Sequence, residues 1–154
     1  RSKVLRTQIT TAYKTAMKRK EAIAVSTLRL IQAAIKDRDI AARSKGNSDG
    51  ISDDVVLSLL QSMIKQRRDS IEAYEKGGRM ELAQREAEEI SIIENFLPAQ
   101  MNDVEITAAV EGVISNVEAT TLKDMGKVMA ILKEQFAGRM DFGKASSAVK
   151  AKLG

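Results

Sequence analysis

The sequence predicts an all-α fold: a four-helix N-terminal domain of helical hairpins, then a small three-helix C-terminal bundle. Three observations carry this. Apolar residues recur at three- and four-residue spacing along almost the whole chain. β-branched residues never alternate long enough to make a strand. A single proline, Pro98, interrupts the helical pattern and divides the chain into 1–97 and 98–154.

The elements follow in order. Leu5, Ile9, Ala12 and Ala16 define an amphipathic helix over 3–18. Val25, Leu28, Ile31 and Ile35 define a second over 20–44. Residues 45–51, Lys-Gly-Asn-Ser-Asp-Gly-Ile, are turn-formers and read as a loop. Ser52 is placed to cap a third helix, with Asp53 and Asp54 at its positive end. That helix runs to Lys76 on a stripe of Val56, Leu60, Met63, Ile64, Ile71 and Tyr74, and Gly77-Gly78 ends it. A fourth covers 80–96, with Ala83, Ala87, Ile90 and Leu97 inward. After Pro98, Asn102 and Glu105 have the spacing of a capping box. A fifth helix then runs to Val117 through Ile106, Val110, Val113 and Ile114. A sixth starts at Thr120 or Asp124, carries Met125, Val128, Met129, Leu132 and Phe136, and closes at Gly138. Asp141 caps a seventh, whose buried side is Phe142, Ala145, Val149 and Leu153.

Composition excludes several chemistries. The chain has no His and no Cys. Imidazole acid/base catalysis, thiolate nucleophiles, disulfides and zinc sites are therefore absent from its repertoire. A carboxylate-only Mg²⁺ site would need clustered Asp/Glu, and no spacing suggests one. Glu86, Glu88 and Glu89 crowd one helical turn and read as a solvated face. Lys65, Arg67 and Arg68 with Asp69 and Glu72 read as i,i+4 surface pairs. No nucleophile elbow or phosphate-binding glycine loop occurs. No catalytic residue, metal or cofactor is therefore expected.

Hydrophobic residues make up 44% and aromatics only 3%, so the core is aliphatic. The longest apolar run falls far short of the roughly 20 residues that span a bilayer. Residues 1–20 are basic and polar, unlike a signal peptide. The expectation is a cytoplasmic protein without a membrane partner. Charge is uneven. Residues 1–50 hold 12 Lys/Arg against 4 Asp/Glu, a net of +8, while 51–97 net −4 and 98–154 net zero. A basic first hairpin attracts polyanions or acidic protein surfaces.

Several segments carry a family signal. They are Ile64-Lys-Gln-Arg-Arg-Asp-Ser-Ile-Glu-Ala-Tyr74, Gly78-Arg-Met-Glu-Leu-Ala83, Glu88-Glu-Ile90, Phe96-Leu-Pro98 and Asp124-Met-Gly-Lys-Val-Met129. In this order they resemble the YqeY-like family over essentially the whole chain. The tail is also similar to the C-terminal domain of the B subunit of tRNA-dependent amidotransferases, a helical domain that helps hold the tRNA. Gly138-Arg-Met-Asp141 departs from the Gly-Lys-Ala-Asp frequent in the family, and Ala130 stands where Gly is frequent.

The resemblance implies a non-catalytic tRNA- or RNA-binding, translation-associated accessory protein. It connects the chain to carbon–nitrogen ligases with glutamine as amido donor by similarity alone. Phosphate contacts would then come from Lys123, Lys127, Lys133, Arg139 and Lys144. With no aromatic interleaving, recognition would be by backbone and shape. The alternative is an adaptor that docks an acidic partner, such as an amidotransferase or translation component. Its contacts would come from Lys18, Arg19, Lys20, Arg29, Lys36 and Arg43 on the first hairpin.

Overall fold

The protein's structure, a computed structural model, describes residues 3–154. Among these residues it is all-α, with seven helices and no strand. They are α1 (Val4–Lys18), α2 (Ala22–Arg43), α3 (Asp53–Lys76), α4 (Met80–Glu94), α5 (Asp103–Val117), α6 (Met125–Gln135) and α7 (Phe142–Leu153). The chain divides into two compact units at the Leu97–Pro98 bond.

In the first unit, α1 pairs with α2 and α3 pairs with α4, and α2 also packs on α4. Ile9, Ile31, Val56, Leu60 and Ile93 are completely enclosed at the centre. Each helix buries the stripe its periodicity dictates, because only one side of an amphipathic helix gains by leaving water. Leu59 and Ile51 also join this core, the second from within the loop.

Helix ends show local causes. Ser52 is the N-cap residue of α3, yet its side chain makes no capping hydrogen bond. The Asp53 carboxylate instead accepts from the Leu5 backbone N–H at 3.2 Å, and so serves the first turn of α1. Past α3, the Gly78 N–H donates to the Glu75 carbonyl and the Arg79 N–H to the Tyr74 carbonyl. This is a Schellman motif, and it needs the left-handed φ of +72° at Gly78.

The α2–α3 loop is held from beneath. Arg6 grips Asp39 through two hydrogen bonds of 2.9 and 2.5 Å. The same Asp39 carboxylate accepts from the Ile51 N–H at 2.9 Å, and Arg6 donates to the Ile51 carbonyl at 3.2 Å. Gly50 crosses directly over this pair. A Cβ there would lie 2.9 Å from an Arg6 nitrogen, and its φ is +89°.

The carboxylate crowding on α4 needs correction. Glu89 is not on a solvated face: it is 8% exposed and lies one turn before the enclosed Ile93. Its partner is Arg67 of α3 at 3.5 Å, with both side chains nearly buried. Arg67 also donates to the Met63 carbonyl at 3.1 Å. Arg67 therefore leaves the set of surface pairs; Lys65–Asp69 forms as an exposed i,i+4 pair, and Glu72 takes Lys76 as its i,i+4 partner.

In the second unit, α5, α6 and α7 each pack against the other two. Val110, Val128, Leu132, Ala145 and Val149 are enclosed. The capping box forms at α5: Asn102 accepts from the Glu105 N–H at 2.8 Å, and Glu105 accepts from the Asn102 N–H at 3.0 Å. A 3-10 turn, Leu122–Asp124, leads into α6. Asp141 caps α7 through the Gly143 and Lys144 amides. Met140, read from the sequence as a turn residue, is completely buried. The left-handed turn at Gly138, φ +76°, swings the chain so that Met140 enters the core.

Candidate functional site

No helix among the described residues is long and apolar enough to cross a membrane. Nor do three metal-competent side chains converge among them. Two clefts open in the first unit. One of about 450 Å³ has a mainly apolar floor between the start of α2 and α4, with Glu21 and Glu88 among its lining residues. The other, about 200 Å³, lies between α1 and α2 and holds Arg6, Gln32, Lys36 and Asp39. Arg6 and Asp39 are committed to each other there. The Arg6 hydrogen bond pulls the Asp39 carboxyl below its ordinary value, against the opposing cost of burial, with help from the Ile51 amide.

The candidate cations fall into three groups. Lys18, Arg19 and Lys20 form the α1–α2 turn. Lys18 ends α1, Arg19 is its C-cap, and Lys20 takes a left-handed φ of +57°. Arg19 approaches Glu21 at 4.0 Å, with both side chains exposed.

Arg29, Lys36 and Arg43 form the second group. They are seven residues apart on α2, and all three are exposed. Seven residues make nearly two turns, so the three share one line along the helix. Arg29 is held in place. Its Nε donates to the Tyr13 hydroxyl at 2.9 Å, and its guanidinium lies 5.8 Å from the Tyr13 ring centroid. Ile40 and Leu30, about half exposed, lie to one side of this line.

The tail cations form the third group, and the structure does not gather them. Arg139 is half-buried: its Nε donates to the Ala99 carbonyl at 3.2 Å, and its own carbonyl accepts from Met101. Lys144 pairs with Asp103 at 2.9 Å. Lys123, Lys127 and Lys133 are exposed and make no ion pair among the described residues. Lys127 adds to the field on Asp124, whose carboxyl is lowered first by accepting from the Thr120 and Thr121 amides. Lys127 and Lys133 are six positions apart on α6, which turns them about 120° from each other.

Sequence reasoning missed the two semi-buried ion pairs, Arg6–Asp39 and Arg67–Glu89. Their partners are 33 and 22 residues apart, beyond any local periodicity.

An all-helical chain whose candidate sites are exposed charged faces on helices defines the class. The Yqey-like protein family model matches residues 6–153, and the chain belongs to that family. It is similar to a protein of Lachancea thermotolerans named "Altered inheritance of mitochondria protein 41, mitochondrial". The two are 30% identical over 147 residues, which cover 91% of this chain and 74% of that protein. A protein of the same name in Kluyveromyces lactis is 30% identical over 141 residues, covering 90% of this chain and 70% of that protein. These relatives correct the cytoplasmic expectation, since both are mitochondrial by name. A folded body carries no composition that separates the two compartments, so residues 1–20 could not decide it.

Proposed function

We propose that the chain is a non-catalytic accessory protein that docks an acidic protein partner through the outer face of its first helical hairpin. The observation that carries this is the exposed line of Arg29, Lys36 and Arg43 on α2 beside Leu30 and Ile40. The +8 balance of residues 1–50 supports it, because like-signed charge on one face steers an opposite partner toward it. The relatives' names support a mitochondrial setting. In this reading residues 1–97 and 98–154 are separate domains, and the first is the docking domain.

RNA binding by the tail is the second reading. Lys123, Lys127 and Lys133 favour it, being exposed and in no ion pair among the described residues. Arg139 and Lys144 contribute less, because each already has a partner within the second unit. A link to tRNA, to translation or to glutamine-dependent amido transfer rests on the resemblance of the tail.

The test is a titration of the full chain with poly-L-glutamate and with bulk tRNA, at low and moderate salt. Two variants accompany it: Arg29→Gln/Lys36→Gln/Arg43→Gln and Lys123→Gln/Lys127→Gln/Lys133→Gln. Salt-sensitive polyglutamate binding, lost only in the α2 variant, is the expected result. Binding of tRNA alone, lost only in the tail variant, would replace this reading by the second.

A further inference from the structure

The outer face of α2 carries a seven-residue repeat. Arg29, Lys36 and Arg43 form one line, Ser26, Ala33 and Ile40 the next, and Leu30 and Asp37 a third that begins at the half-buried Ile23 beside α4. Residues seven apart drift by only about 20° per repeat, so the three lines run side by side. Leu30 is 49% exposed and Ile40 51% exposed, and Ala33 and Asp37 are exposed between them. The opposite side of α2, through Leu28, Ile31 and Ile35, already fills the core of the unit. One helix therefore presents two seams, and the fold covers only one.

We infer that the outer seam of α2 takes one amphipathic helix of another protein, acidic along one flank and carrying a single cation in its apolar stripe opposite Asp37. The inference rests on the acidic-partner reading above. A helix fits because the apolar and small residues repeat at its own spacing, and Ser26 and Ala33 let a backbone come close. The basic line occupies the flank where paired helices place the charges that select partners. A second copy of α2 does not fit. Antiparallel pairing would set Lys36 against Lys36 and Arg29 against Arg43, and parallel pairing would set Asp37 against Asp37. Like charges in either orientation oppose it, whereas an acidic flank complements the basic line. Asp37 inside the seam then fixes register, because it needs an opposite charge at one position only.

The probe is a synthetic three-heptad peptide with Leu along its stripe, Glu along one flank and one Lys placed to meet Asp37. A scrambled peptide of the same composition and poly-L-glutamate serve as controls, all titrated against the full chain. The matched peptide is expected to bind at least about tenfold more tightly than the scrambled one, the effect of one well-buried contact. Leu30→Ser/Ile40→Ser removes that advantage, and thermal melts should be unchanged because both residues are exposed. Asp37→Lys weakens the matched peptide, and a peptide with Glu in place of its Lys restores binding. Equal affinity for matched and scrambled peptides, indifferent to Leu30→Ser/Ile40→Ser, would overturn the seam while leaving acidic-partner binding intact. Silence toward every acidic probe at low salt would remove that reading as well. Self-association that Leu30→Ser/Ile40→Ser abolishes would assign the face to a second copy and also overturn the inference.

Discussion

Asp39 joins two helices and the loop that follows them. It anchors Arg6 of α1 and the Ile51 amide of the α2–α3 loop at once. Its folded pKa lies below its ordinary value of 3.8, with the Arg6 hydrogen bond as the first cause. A depressed carboxylate stabilises the fold above its unfolded pKa and loses that contribution as the pH falls through the folded value. Asp39→Asn should therefore cost about 2 kcal/mol at neutral pH, the scale of a charged hydrogen-bonded pair. Denaturant titrations of the two proteins should converge as the pH drops below 3.8. A constant gap would mean the charge is irrelevant. The Arg67–Glu89 pair makes a different case. It is nearly buried, and the Arg67 Nε meets no acceptor among the described residues. Glu89→Ala should cost about 3 kcal/mol by stranding a cation, whereas Arg67→Met/Glu89→Leu should recover most of it. Chemical unfolding of both variants decides the matter: a double variant no better than the single would point to shape rather than charge.

Helices respond to glycine according to backbone angle, and the chain contains its own control. Gly78 ends α3 at φ +72° with nothing within 4 Å of a Cβ. Gly112 lies inside α5, and a Cβ there also meets nothing. Gly78→Ala should destabilise by about 1 kcal/mol, because an L side chain disfavours the left-handed region. Gly112→Ala should stabilise by about 1 kcal/mol, since Ala loses less backbone entropy in a helix interior. Opposite shifts in thermal midpoint are the expected outcome, and shifts of the same sign would refute the backbone argument. Such helix ends are legible in sequence because their causes are local. The Asn102–Glu105 box and the Asp141 cap are read from four residues each, and both form. Ser52 shows the limit: its position is a cap, but the carboxylate next to it is drawn to another helix.

For the whole molecule, the second unit closes its own core around Met140, Val110, Leu132 and Val149. Residues 98–154 made alone should unfold cooperatively, though with little stability to spare at this size. Met140→Ala should cost about 2–5 kcal/mol, within the range for a buried Met, and should abolish folding of the fragment. Circular dichroism against temperature tests both. A fragment indifferent to this change would show that Met140 is not central. Arg139 belongs to the same argument. Replacing it removes the side-chain bond to the Ala99 carbonyl, so Lys123, Lys127 and Lys133 give the cleaner test of RNA binding.

The sequence by itself determined the all-α class, the order of the helices and most of their buried stripes. These follow from periodicity and capping, which act over a few residues. It also named Arg29, Lys36 and Arg43 as candidates on the first hairpin, while their common line on α2 appears only with the helix in view. The tertiary structure alone decided which charges remain available. Glu89, Arg67 and Asp39 look like surface charges in sequence but meet partners across helix pairs. Arg139 is tied to the Ala99 carbonyl and Lys144 to Asp103 at the surface, and Met140 leaves the turn for the core. The reason is physical: burial and ion pairing depend on residues distant in sequence, and only chain packing brings those together.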